Sequence, residues 1–511
     1  MPRLSPPIVL LLLLLPASWL STAAGQGLHA SGIELYSRSR RDAGAGGVYE
    51  YKAPRYTEAA SWGYVEVRPL AHMFWWLQPY KQQPLGDAAT GTPLIIWLQG
   101  GPGASGTGFG QFTEVGPVDM DDKWREFAWT ERAHVLFVDN PVGTGFSYVE
   151  EGGTFATDNS QIGADLAALL MGVLDAEPGL AGADITIVCE SYGGKMGVAL
   201  AKELLGPKGD KKHKVNLKGL ALGDSWISPV SFVLAWGPLL NDFSLLDSND
   251  YETIAEAALD IQSSISRKEY PEASDGWAQL ETLVEGLTDN VNFYNLLQHN
   301  VPDIGAAGVP PALLQQWRSG GLMEGGGGAF AARVERHLAA YHNQGLSEFM
   351  NGEVKEALGS VIPAGVTWGG QAGEVFKKLK DDFMKNVTTD VDHLLDAGLN
   401  VTVYNGQLDL ICCTRGTELW LKSLKWGGAK KFGTATRMPL YVGTPGSNTG
   451  AFYKSYQNLA IFYIMNAGHM VGGPCTDTWL WAGMIPACHG LAERDADSPP
   501  GCPHACGAGA L

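Results

Sequence analysis

The sequence predicts an α/β protein with a mainly parallel central sheet and a helical insertion over the sheet's functional edge. Three observations carry this. Short apolar runs at 93–98, 134–138, 184–188, 217–222, 400–404 and 459–464 have the length and composition of strands buried on both faces. Helical patterns separate several of them, as crossovers between parallel strands require. The runs stop in turns rich in Gly, Pro, Asn or Asp, and open parallel sheets bind ligands at the carboxyl ends of their strands.

The 511 residues, 45% hydrophobic and 18% charged, suffice for one large domain with insertions or for two to three domains, and are too apolar for a disordered chain. A net charge of −18 excludes nucleic acid as a natural partner, because phosphate binding needs a basic face. Residues 1–25 read as a signal peptide: Arg3, an apolar stretch through 8–15, then Pro16 and small residues. No later stretch reaches the roughly 20 apolar residues of a membrane span. The mature chain is therefore expected to be soluble in the secretory pathway, secreted or in a vacuolar or lysosomal lumen. Sequons at Asn386 and Asn400 agree with that route, Asn386 being the better placed because Asn400 abuts a core strand.

In chain order, strands at 63–67 and 73–77 form an early meander ahead of the run at 93–98. That run ends in Gln99-Gly100-Gly101-Pro102-Gly103, a rigid turn whose N–H groups can face a ligand. The strand at 134–138 closes in Asp139-Asn140-Pro141, and residues 159–175 form a helix with Ile162, Leu166, Leu169, Leu170 and Val173 on one face. The strand at 184–188, the turn Cys189-Glu190-Ser191-Tyr192-Gly193-Gly194 and the helical run 196–201 make a strand–turn–helix elbow of the kind that raises a serine hydroxyl above a sheet. Cys189 stands where that elbow usually has Gly. The strand at 217–222 ends in Gly223-Asp224-Ser225-Trp226. From 241 to 350 the pattern is helical without clear strands; Asn249 with Glu252 reads as a cap, and Gly320-Gly321 and 325–328 are loose joints. The expected organisation is thus a hydrolase core at 26–240, the insertion at 241–350, the core resumed at 351–475 and a Gly-, Pro- and Cys-rich tail at 476–511.

The strand at 400–404 leads to Asp409 and that at 459–464 to His469. With the elbow upstream, Ser191, Asp409 and His469 follow the chain order of the α/β-hydrolase fold. In that arrangement Ser191 attacks an acyl carbon, His469 moves the proton, and Asp409 sets the imidazole tautomer and stabilises its cation. Tyr192, next after the nucleophile, offers an oxyanion-hole N–H. Seven cysteines include four near the C-terminus, where disulfides are expected and a metal cluster with His489 and His504 is the rival. The odd count leaves a thiol unpaired unless two copies join, so a homodimer stays open. A vicinal Cys412–Cys413 disulfide would be strained, leaving separate partners or free thiols, and Cys189 is a candidate reactive thiol beside the nucleophile. No cofactor and no metal are expected.

Trp97-Leu98-Gln99-Gly100-Gly101-Pro102-Gly103, Glu114-Val115-Gly116-Pro117, Asp139-Asn140-Pro141-Val142-Gly143-Thr144-Gly145-Phe146-Ser147, Glu190-Ser191-Tyr192-Gly193-Gly194 and Ala467-Gly468-His469-Met470-Val471 resemble the serine carboxypeptidase family over residues 60–471. Gln99, Gly193-Gly194-Lys195-Met196, Leu222-Gly223-Asp224-Ser225-Trp226 and Asn405-Gly406-Gln407-Leu408-Asp409 resemble its retinoid-inducible branch. The resemblance implies a peptide substrate with a free C-terminus, whose carboxylate is held by Gln99, Glu114 and Glu190, and a second oxyanion donor at Gly101. Two glutamates can hold a carboxylate only if they share a proton, so activity is expected to be highest at acidic pH. Gln99 stands where most of the family has Asn, and Gly472-Gly473 separate Val471 from the proline that usually follows it. Acyl transfer to an alcohol, or a catalytically weak secreted binding protein on the same fold, are the other readings. Endopeptidase and lipase readings leave Glu114 and Glu190 unexplained.

Overall fold

The computed structural model describes residues 33–38, 54–80, 92–206, 213, 215–300, 329–342, 344–441 and 448–471. The leader, the glycine joints between 301 and 328, the four C-terminal cysteines and the tail lie outside the described residues. The strands are β1 (Ile33–Arg38), β2 (Ser61–Arg68), β3 (Ala71–Gln78), β4 (Leu94–Leu98), β5 (His134–Val138), β6 (Tyr148–Val149), β7 (Asp184–Glu190), β8 (Asn216–Gly223), β9 (Val291–Asn292), β10 (Asn295–His299), β11 (Asn400–Gly406), β12 (Met438–Tyr441), β13 (Thr449–Tyr456) and β14 (Leu459–Ile464). The principal helices before residue 342 are α1 (Asn159–Ala176), α2 (Gly193–Leu205), α3 (Pro229–Asp242), α4 (Ser248–Ser266), α5 (Tyr270–Leu287) and α6 (Ala329–Tyr341).

Twelve strands make one sheet in the order β1-β2-β3-β5-β4-β7-β8-β11-β14-β13-β12, with β6 on β3. From β5 to β14 the neighbours run parallel, so their carboxyl ends share one edge. Antiparallel strands flank this centre on both sides. The apolar strand β4 shows why its run is continuous. Leu94, Ile96 and Leu98 pack into one cluster with Ile162, Leu166 and Leu200, whereas Ile95 and Trp97 enter a second with Trp129 and Phe137. A strand covered on both faces has no polar side to show.

α1 starts at Asp158, whose side chain accepts a hydrogen bond from Gln161 N and so satisfies one orphan donor of the first turn. α4 is capped by Asp247, which accepts from Asp250 N at 2.9 Å, and not by Asn249, which lies inside the first turn. Asp, Ser and Asn at consecutive positions all suit a cap, and only the backbone decides among them. The region 241–350 holds α4, α5 and α6 but also the hairpin β9–β10, contrary to a strand-free expectation. β9 has only two residues and β10 is mostly exposed, so neither leaves an apolar alternation in the sequence. β12 and β13 also escape the pattern, because their residues are mostly half-buried or exposed. No helix among the described residues is long and apolar enough to cross a membrane.

Candidate active site

The turn after β7 holds Ser191 at a φ of +58°, in the left-handed region that a β-carbon disfavours. The surroundings enforce it. Ser191 N donates to Gly223 O at 3.0 Å, and Ser191 O accepts from Gly194 N and Trp226 N. Gly100 must lack a side chain, since a Cβ there would lie 2.5 Å from that of Ser191, and a Cβ on Gly193 would strike Leu98 O. Cys189 Sγ fills the space over Gly197 where β7 meets α2, which accounts for a small residue two before the serine. Cys189 is fully buried and burial pushes its thiol well above the ordinary range, so it is no reactive thiolate. Cys412 and Cys413 are buried free thiols, with no vicinal disulfide.

Asp409 and His469 arrive from the ends of β11 and β14. His469 Nδ1 and Asp409 Oδ2 are 2.9 Å apart, both residues fully buried, and Asp409 Oδ1 accepts from Cys412 N at 3.1 Å. His469 N donates to Tyr294 O at 2.8 Å, so the β9–β10 turn of the insertion seats the histidine loop. His469 Nε2 has no partner among the described residues, and the Ser191 hydroxyl meets the Tyr341 hydroxyl of α6. Catalytic hydrogen bonds are often loose without substrate and tighten when it binds. The N–H groups of Tyr192 and Gly101 both remain uncommitted to any acceptor among the described residues. The Tyr192 ring is anchored beneath: its hydroxyl donates to Asp382 Oδ2 at 3.0 Å, and Lys195 Nζ meets the same oxygen at 3.1 Å.

Gln99, Glu114 and Glu190 form a second buried group. Gln99 Oε1 accepts from Trp97 Nε1 and its Nε2 donates to Glu190 Oε1, each at 2.7 Å, so the longer amide is held at both ends. Glu114 lies near the end of a wide helical segment, Gly106–Val115, tied to β5 through Asp139, which accepts from Ser105 Oγ at 2.6 Å and Thr107 Oγ1 at 2.8 Å. Neither oxygen of Glu114 has a donor in hydrogen-bonding geometry among the described residues; the Glu190 carboxyl and the Gln99 amide adjoin it, and the charge of Arg125 works against the burial that raises its titration. Burial raises the titration of both glutamates, and for Glu190 the charge of Glu114 adds to it. Such a pair keeps a proton that exposed carboxylates would have lost.

Beside this centre, a cavity of about 550 Å³ opens on His469 and is lined also by Asn292, Tyr294, Arg336, His337 and Met470. Tyr294 Oη is 2.7 Å from His337 Nδ1, whose Nε2 is 2.8 Å from Glu281 Oε2. Nothing local in the sequence marks Tyr294, His337 or Tyr341, because no pattern says which face of an insertion meets the sheet. Asp224 stands in the sequence as a strand-end residue within a stretch resembling the family branch; its place next to Asp409 depends on β8 pairing with β11. Of the two sequons, Asn386 is exposed, with its Nδ2 donating to Ser228 Oγ at 3.1 Å, whereas Asn400 is half-buried, with its Nδ2 donating to Lys218 O at 3.2 Å.

A family model described as serine carboxypeptidase matches residues 52–477. The retinoid-inducible serine carboxypeptidase of Mus musculus is 42% identical over 427 residues, covering 84% of this chain and 90% of that protein. Serine carboxypeptidase-like 51 of Arabidopsis thaliana is 38% identical, covering 80% and 88%. Among solved structures, a prohormone-processing carboxypeptidase from Saccharomyces cerevisiae superposes with a TM-score of 0.64 at 22% identity, over 84% of this chain and 89% of that one. That likeness bears on the fold, which is the α/β-hydrolase fold expected from the order of serine, aspartate and histidine.

Proposed function

The chain belongs to the serine carboxypeptidase family, and we propose that it removes single residues from peptide C-termini through an acyl-enzyme, best at acidic pH. The observation that carries this reading is the pair of buried carboxyls Glu114 and Glu190, the second bonded to Gln99, beside Ser191. A peptide's terminal carboxylate there accepts hydrogen bonds from the Gln99 amide and from the carboxyl that holds the shared proton. The last peptide bond is thereby placed over Ser191. Interior peptide bonds have no carboxylate to offer, so the site selects chain ends.

In the proposed sequence Ser191 Oγ attacks the carbonyl carbon while His469 Nε2 takes the hydroxyl proton, and the Asp409 carboxylate faces the resulting imidazolium. The N–H groups of Tyr192 and Gly101 receive the oxyanion. Collapse breaks the C–N bond, and His469 gives its proton to the departing amine. Water then attacks the acyl ester, losing its proton to His469, which returns it to Ser191.

The glutamate pair sets the sign of the pH dependence. Both carboxyls titrate above their ordinary range, Glu114 at about 8 and Glu190 also well above its usual value, so the shared proton is held through neutral pH and leaves only as pH rises beyond about 8. Two anions then face the substrate's third. The expected loss is in KM, about 10–100-fold, the worth of one hydrogen bond to an ionised group. Blocked dipeptides assayed at about pH 5 and about pH 9.5, above the raised titration of Glu114, with fluorophosphonate labelling of Ser191 at each, test the reading. Preferential cleavage at acidic pH with labelling at both supports it; equal KM at both pH values, or no labelling, contradicts it.

A further inference from the structure

A second pair of buried carboxyls meets behind the histidine. Asp224, directly after β8, and Asp409, after β11, are both fully buried. Asp224 is held at a φ of +39° by its N–H bonding to Tyr404 O at 2.9 Å. Its Oδ1 accepts from Gly406 N at 2.8 Å and from Asn405 Nδ2 at 2.9 Å. Asn405 is itself fixed, its Nδ2 reaching Cys412 O and its Oδ1 accepting from Thr417 Oγ1. On Asp409, Oδ1 accepts from Cys412 N and Oδ2 faces His469 Nδ1.

Three of the four carboxyl oxygens therefore have donors. The fourth, Asp224 Oδ2, has none among the described residues, although it is buried, and the group within hydrogen-bonding reach of Asp224 is the Asp409 carboxyl. The titratable groups facing Asp224 are Asp409, Glu190, Tyr404 and Cys412, all of them acids. Two anions cannot sit in contact in such a place, so the pair binds a proton. Placed on Asp409 it would compete with the imidazole for Oδ2. Placed on Asp224 Oδ2 it satisfies the one orphan atom of the group.

We propose that Asp224 is a positioning residue of the triad: as a neutral acid it donates from Oδ2–H to the Asp409 carboxylate and holds that carboxylate against His469 Nδ1. This rests on reading Ser191, His469 and Asp409 as the triad. Because burial and the Asp409 charge raise its titration above the ordinary carboxyl range, Asp224 loses this proton only as pH rises beyond that range. Repulsion then replaces the hydrogen bond. The effect falls on kcat, whereas the Glu114–Glu190 proton acts on KM.

Asparagine is the diagnostic replacement. In Asp224→Asn the side-chain oxygen keeps its bonds from Gly406 N and Asn405, the amide N–H takes the place of Oδ2–H, and nothing can ionise. The full-length enzyme is assayed for kcat and KM separately from about pH 5 to about pH 8. Asp224→Asn is expected to keep kcat within about threefold of wild type at acidic pH and to lose at least about threefold less of it on the alkaline side, while Asp224→Ala loses about 10–100-fold throughout, as removal of a hydrogen bond to an ionised group predicts. An alkaline fall in kcat identical in Asp224→Asn and wild type overturns the proposal, whether or not Asp224→Ala folds. Asp409→Asn separates the two readings: wild-type activity in that variant sinks the triad itself, whereas its inactivity together with an unchanged Asp224→Asn profile sinks only the role of Asp224.

Discussion

The Glu114–Glu190 and Asp224–Asp409 pairs are built alike and serve opposite ends of the reaction. Each consists of two buried carboxyls in contact, each comes from the carboxyl end of the sheet or a segment packed there, and each needs a proton to exist. They differ in what faces the free side. At the first pair it is the Gln99 amide and, in the proposed complex, a substrate carboxylate; at the second it is the His469 imidazole. In the proposed mechanism a shared proton thus acts in recognition at one end and in alignment of the base at the other. Low local dielectric makes both pairs sensitive, since an unpaired buried charge costs more there than at the surface.

The comparison can be broken at its histidine end most severely. Ser191→Ala and His469→Ala are each expected to lower kcat by about 10⁶, with blocked-dipeptide binding retained. Binding lost together with kcat would mean that the two ends are not separable. At the substrate end, the double variant Glu114→Gln with Glu190→Gln removes both titrating protons and leaves amide donors. Its KM is expected to vary less than about threefold from acidic to mildly alkaline pH, against the 10–100-fold rise in wild type, a span set by one charge-assisted hydrogen bond. A KM that still climbs with pH in that variant would assign the dependence to other groups.

A smaller effect concerns stability. Burial raises Glu114, Glu190 and Asp224 in the folded chain, and it lifts Asp139 and Asp165 to about 6. A carboxyl raised on folding gives the folded state extra protons, so its favourable contribution is complete below the unfolded titration and is lost as pH rises through the folded one. His134 and His342, lowered to about 4 by burial, oppose this only below their ordinary value of 6.5. Between about pH 6.5 and 8 these histidines no longer contribute, and the raised carboxyls are expected to lower Tm by a few degrees, on the order of one per lost kcal/mol or more, against the opposite trend of Lys195, whose titration burial lowers. Thermal melts across that window check it; a rising Tm would contradict the raised titrations. The smallest expected change is at Asn386, whose exposed side chain is the proposed glycan acceptor. Asn386→Gln should remove one glycan by mass and leave kcat and KM unchanged, whereas Asn400→Gln should remove none.

What could be read in the chain follows the physics of each part. The strands β4, β5, β7, β8, β11 and β14 announce themselves because burial on both faces demands unbroken apolar runs, and the turns after them because positive φ and close approach demand Gly or small residues. Those two signals suffice for the α/β-hydrolase fold. They also place Ser191, Asp409 and His469 at one edge, where the structure joins Asp409 to His469 and Glu190 to Gln99, while the Ser191 hydroxyl meets that of Tyr341. Glu114 is different: nothing local marks it, since it lies on a helical segment whose attachment runs through Asp139, and only the family resemblance singles it out. Tyr294, Tyr341 and His337 reach the centre from the insertion, whose packing depends on contacts distant in sequence. Asp224 sits in plain view after β8, yet its meaning comes from a partner 185 positions away, through the register in which Tyr404 pairs with Gly223.

The central claim is that a buried proton lets two glutamates recognise a peptide's terminal carboxylate. It is tested by comparing kcat/KM for a blocked dipeptide with that for the same dipeptide carrying a C-terminal amide, at about pH 5 and about pH 9.5. A preference for the free acid of about 10–100-fold is expected at the lower pH, the worth of the lost charge-assisted bond, shrinking toward parity at the higher. Equal rates for acid and amide at the lower pH would contradict it.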